Sequence, residues 1–179
     1  MMTNGLRNSK VEKHVFLGIL LSITLLLSGC VMPWSKLDFR SFAQSMRGSN
    51  MAVVERDRVG KDIVIPPEWA SQGITAWKVA GNKDGTNSLS LQYLEFESEE
   101  DSVKFFQSES NHYASAAGNA GARKGNAFSA SGNGFFYYIC SVGKKVVLGD
   151  CQLKDLNLMV KVINAMPEVT GIDDQGKLK

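Results

Sequence analysis

Histidine is nearly absent from this chain of 179 residues: there are two, His14 and His112. Only His112 lies beyond residue 30, near the end of a Ser- and Asn-rich helical stretch. No G-x-S-x-G elbow accompanies it, so it is expected to face solvent without a catalytic role. Cys140 and Cys151 have no histidines nearby to complete a zinc shell, so no metal is expected, and no cofactor. An excess of charge of one sign is also lacking. The formal charge is +2, but Arg7, Lys10, Lys13 and Glu12 precede residue 30; from there on 17 basic residues face 17 acidic ones. A balanced chain has no basic field to steer nucleic acid, and that partner is excluded. No apolar run exceeds the thirteen residues of Val15 to Leu27, which excludes a multi-span membrane protein.

Two tempting motifs are incomplete. Gly118 to Gly125 lacks the G-x-x-x-x-G-K-[ST] order of a phosphate loop. Glu95, Glu97, Glu99, Glu100 and Asp101 lack the spacing of a calcium loop, and carboxylates at a helix start are explained by the helix dipole. The chain is therefore expected not to be an enzyme.

The first thirty residues have an organisation of their own. Arg7, Lys10 and Lys13 precede Val15 to Leu27, which as a helix would rise ~20 Å, short of the ~30 Å hydrocarbon core. Leu27-Ser28-Gly29-Cys30 follows, with small residues where a signal peptidase admits them. This segment resembles the lipobox leader of bacterial lipoproteins at all four motif positions. The resemblance implies that residues 1–29 are a cleaved signal peptide, that Cys30 carries diacylglycerol, and that the chain is held on a membrane. Val31 stands where an inner-membrane retention signal would place Asp, which implies the outer membrane, facing the periplasm. The resemblance is silent on residues 31–179.

In an exported domain the two remaining thiols favour a disulfide, Cys140 to Cys151. Register opposes it. Phe135 to Val142 and Lys145 to Leu148 read as a hairpin turning at Gly143-Lys144, with Cys140 opposite Val147. Cys151 then lies ~13 Å further along, beyond the ~7 Å that a bridge tolerates, unless Gly149-Asp150 folds the chain back. The expectation is a disulfide that needs this fold-back or a longer turn between the two strands.

Residues 30–50 read as a lipidated tether with a short amphipathic helix. Phe39, Phe42, Ala43 and Met46 line one face, Ser35 and Asp38 suggest its cap, and the face packs on the domain or serves membrane or partner. Residues 51–167 read as one α+β domain. Val53-Val54 and Ile63 to Ile65 are short strands; Ile74 to Ala80 and Ser88 to Phe96 form a hairpin. Ser98 caps a helix bearing Val103, Phe106, Ser110 and Tyr113. Ala114 to Gly134 reads as a loop, Leu153 to Ile163 as a second helix, and residues 168–179 as a flexible tail. The expected architecture is a two-layer domain, an antiparallel sheet with helices on one face.

The expected function is a membrane-anchored binding, assembly or accessory lipoprotein whose partner is an envelope protein or cell-wall component. Phe39, Phe42, Met46 and Trp69 are the candidate partner-binding residues. Trp69, Trp77, Tyr137 and Tyr138 suggest a sugar- or peptide-binding platform, of which at least two rings belong to the core. An exclusion, immunity or inhibitor lipoprotein, using the glycine-rich loop, is the alternative; an envelope hydrolase using His112 or the acidic cluster stands third.

Overall fold

A computed structural model describes residues 36–47, 49, 51–56, 69, 71–82 and 85–179. The leader, Cys30, the suggested cap Ser35 and the strand expected at Ile63 to Ile65 lie outside the described residues. The elements are α1 (Phe39–Ser45), β1 (Met51–Arg56), β2 (Ile74–Asn82), β3 (Ser90–Phe96), α2 (Glu99–Ala116), β4 (Ala122–Lys124), β5 (Ala127–Gly132), β6 (Phe135–Val142), β7 (Lys145–Gln152) and α3 (Leu156–Asn164).

The fold is α+β. Its seven-stranded sheet runs β1-β2-β3-β7-β6-β5-β4, antiparallel throughout. Two meanders, β1 to β3 and β4 to β7, join where β3 pairs with β7. Helix α2 connects them, crossing the sheet to reach β4 at the opposite edge.

Helices cover both faces, which corrects the expected two-layer arrangement. In β3, Leu91 and Tyr93 enter one core while Leu94 and Phe96 enter the other. In β7, Val147 and Cys151 oppose Val146 and Leu148 in the same way. A strand with apolar residues on both sides of the pleat must be covered twice. The unbroken runs FFYYIC and KVVL carry this signal. Helix α2 covers one face with Phe105, Phe106 and Tyr113. Its cap is the expected one: the Ser98 hydroxyl accepts from the Asp101 amide at 3.1 Å.

The other face is closed by α1, α3 and the C-terminal residues. Phe42 is fully buried and its ring lies 5.5 Å from that of Tyr93. Leu37 and Met46 are buried beside it, so α1 belongs to the domain, not to a tether. Its cap is Asp38 rather than Ser35: the Asp38 carboxylate accepts from the Ser41 amide, and the Ser41 hydroxyl accepts from the Asp38 amide. The segment expected as a flexible tail is packed. Ile172 is fully buried and pairs with Leu178, and the Asn164 side chain both donates to and accepts from the Ile172 backbone, at 2.9 and 3.0 Å. Tyr138 donates to the Thr170 carbonyl, and Ser129 to that of Gly176.

Ala114 to Gly134 is a second correction, since it holds the end of α2 and strands β4 and β5. Asn133 and Gly134, at φ 54° and 83°, make the two-residue turn into β6, the Asn-Gly chemistry that suits a hairpin.

Candidate functional site

The β6–β7 hairpin has two unlike ends. At the turn, Gly143-Lys144, the chain is pinned by the segment entering α1. The Leu37 amide donates to the Glu168 carboxylate at 2.8 Å, and the Lys145 ammonium donates to the Leu37 carbonyl. Nearby, Lys78 is buried with its ammonium 4.7 Å from the centre of the Phe39 ring. Tyr93 donates to Glu95, and burial first, then that carboxylate, pushes the phenol well above its ordinary value.

At the opposite end, where Phe135 pairs with Gln152, an open pocket of about 320 Å³ is lined by Gly134, Phe135, Gln152, Leu153 and Lys154. The Leu153 amide donates to the Gly134 carbonyl at 3.0 Å, holding the side chain out of the body. Leu153 is 45% exposed, a large apolar side chain left in solvent among the described residues. Three rings lead to it from beneath α2. Tyr113 is buried, with its centroid 5.1 Å from that of the half-buried Tyr137, and Phe135 follows at 6.3 Å. Asp150 lies across the sheet from Tyr137. Burial raises its carboxyl above the usual range, and among the described residues no side-chain hydrogen bond or cation offsets that cost. Burial likewise raises the Tyr113 phenol, with the charges of Asp150 and Glu109 adding to it.

The aromatic platform expected from sequence is mostly core. Trp69, Trp77 and Tyr138 are buried, and only Tyr137 reaches the rim. Trp69 donates to Glu109 at 3.1 Å and Trp77 to Gln92 at 2.8 Å, so both indoles are satisfied within the domain. Of the four candidate partner-binding residues, Phe42 and Met46 lie in one core with Phe39 half-buried against it, and Trp69 lies in the core on the other face. The rim residues Phe135, Gln152 and Leu153 were missed because Leu153 fits the apolar stripe of α3. In fact the helix begins only at Leu156, and Leu153 sits in the preceding 3₁₀ turn.

The expected disulfide is also corrected: Cys140 and Cys151 are free and buried. Cys140 pairs with Val147 and Cys151 with Phe136, so β7 runs straight through Gly149-Asp150 and the thiols stay ~13 Å apart. Burial pushes the Cys151 thiol up to about 12, which keeps it protonated and unreactive at neutral pH.

His112 is exposed on α2, its ring 6.3 Å from that of Tyr113. The hydroxyls of Ser110 and Ser115 donate to carbonyls of their own helix, Phe106 and Asn111. The glycine-rich stretch, cast as an inhibitory loop in the alternative reading, is the β4–β5 region. Among the described residues no group of His, Cys, Asp and Glu gathers as metal ligands, and no helix is long and apolar enough to cross a membrane.

No protein-family model matches the chain, and no curated protein matches it. Among solved structures, the extracellular domain of PknH from Mycobacterium tuberculosis is similar at 11% identity and a TM-score of 0.44. The match covers 72% of this chain and 90% of that one. A likeness of that size assigns neither a family nor a function.

Proposed function

We propose that this protein is a bacterial lipoprotein, lipidated on Cys30 and exposed in the cell envelope, that works as a binding or accessory factor through the Phe135–Leu153 end of its domain. The lipobox LSGC behind a thirteen-residue apolar run supports the anchor, and Val31 supports the outer membrane. The observation that carries the binding reading is the exposed Leu153 in an open pocket it shares with Phe135, Gln152 and Lys154. An apolar side chain ringed by aromatic and polar groups is the composition of an interface centre. The partner is an envelope protein or a cell-wall component. A photo-crosslinking residue at position 153, in cells, should capture one discrete species, and the same residue at the exposed Lys104 should not. Equal capture at both positions overturns the binding reading. Cys30→Ser tests the anchor separately, because serine lacks the sulfur nucleophile: the variant should leave the membrane fraction or remain as precursor.

A further inference from the structure

The central strands differ between their two faces at the pocket end. On one face Leu91, Tyr138 and Cys151 are buried in the core that α1 and α3 close. On the α2 face the same stretch carries Ser90, Asp150 and Tyr137, directly opposite one another across β3, β7 and β6. The next row outward is Gln152 opposite Phe135, and both line the pocket. Residues two apart on a strand share a face and stand ~7 Å apart, so Asp150 and Tyr137 lie one row in from the pocket. Further in, the α2 face of β7 turns apolar at Leu148 and Val146. A polar row at the mouth of an otherwise apolar face, continuous with an open pocket, is the layout of a ligand site.

The row is acidic and aromatic. Asp150 is half-buried, and two carboxylates, Asp150 and Glu109, act on the buried Tyr113 phenol, whose ring stands 5.1 Å from that of Tyr137. Glu109 already accepts from the Trp69 indole, and Lys154 on the pocket rim acts on Asp155, the next residue. A carboxylate flanked by a ring recovers its burial cost from a cation brought to it, which pairs with the oxygen atoms and lies against the ring. We infer that the pocket end seats one Arg or Lys side chain of a protein partner, its charged head between Asp150 and Tyr137 and its stem in the pocket with Phe135 and Leu153. This rests on the binding reading above and gives the partner its chemistry. Arg fits better than Lys, because its planar head is weakly hydrated and stacks on rings. The apolar stem explains why an exposed Leu153 belongs beside a site for a charge.

The test uses the full-length lipidated protein in phosphatidylcholine nanodiscs, which carry no net charge, and follows the amide signals of Tyr137, Asp150 and Leu153 by NMR. The probes are N-acetyl-arginine methylamide and its citrulline counterpart, which keeps the shape and lacks the charge, each titrated against equal sodium chloride. The arginine probe should bind about tenfold more tightly, the size of one charge-assisted hydrogen bond. Asp150→Asn should abolish that preference while melting no lower than wild type. Asp174→Asn, at an exposed carboxylate in another part of the domain, should keep it. Equal binding of the two probes, or none, overturns the cation seat alone, as does loss of the preference in Asp174→Asn. Tighter binding of triacetylchitotriose, a neutral glycan, overturns it in favour of a sugar. If the arginine preference holds but a photo-crosslinker at position 153 captures no species in cells, the binding reading falls and the protein partner with it.

Discussion

The two faces of the sheet are closed by different means. One is covered by α2, which follows β3 directly and lays down Phe105, Phe106 and Tyr113 in one pass. The other is covered by pieces from both ends of the chain: Leu37 to Met46 in front, and Met159 to Ile172 behind. The first face forms from a local strand-to-helix connection. The second closes only when segments more than a hundred residues apart meet, as the Leu37–Glu168 bond shows. Removing a piece of the second face should therefore uncover a core, whereas changes at the rim of the first should leave the body intact.

Phe42→Asp should have the largest effect. It removes a fully buried ring and leaves a carboxylate among Tyr93 and its neighbours, a loss of more than ~4 kcal/mol, read as loss of a cooperative thermal melt. An unchanged melt would mean that α1 is dispensable and that the second face is closed without it. Ile172→Ala should cost about 2–4 kcal/mol by the same melt, because the residue is fully buried. A cost near zero would return residues 168–179 to the status of a loose tail. At the rim, Leu153→Ser should shift stability by less than ~0.5 kcal/mol while abolishing capture of the partner by a photo-crosslinking residue at the neighbouring, exposed Gln152.

Asp150→Asn is the smallest and has the opposite sign. The folded carboxyl titrates above its ordinary value of 3.8, so the folded state binds the proton more tightly than the unfolded chain. That contribution is present below the unfolded value and is lost as pH rises through the folded one. The amide should therefore melt slightly higher than wild type at pH 7, with the difference shrinking toward pH 3. A lower melt at pH 7 would mean that Asp150 has a stabilising partner in solution.

The same contrast explains what could be read in advance. The β2–β3 hairpin, the Ser98 cap and the pairing of Cys140 with Val147 were all legible, because each is set by turn residues or periodicity within about twenty positions. The helix at Phe39 was legible as amphipathic, but its partner face was not: nothing local says that Tyr93 and Met159 will meet it. Strand β5 was hidden by its small residues, which resemble a loop, although Asn133-Gly134 is a strong hairpin signal in its own right. The rim was lost to helix periodicity, which carried Leu153 one turn too far into the following helix. Cover on both faces was written in the unbroken apolar runs of β6 and β7.

The straight register through Gly149-Asp150 has a consequence for biogenesis. Two thiols held ~13 Å apart on one face of a rigid hairpin cannot be joined while the sheet is intact. Maturation of this domain thus needs no oxidation step and no isomerase, and reductant should leave the native fold untouched. An oxidant can link Cys140 to Cys151 only in a chain whose β6–β7 ladder has not formed or has come apart. In this protein an intramolecular disulfide would be a chemical record of misfolding, not a mark of completion.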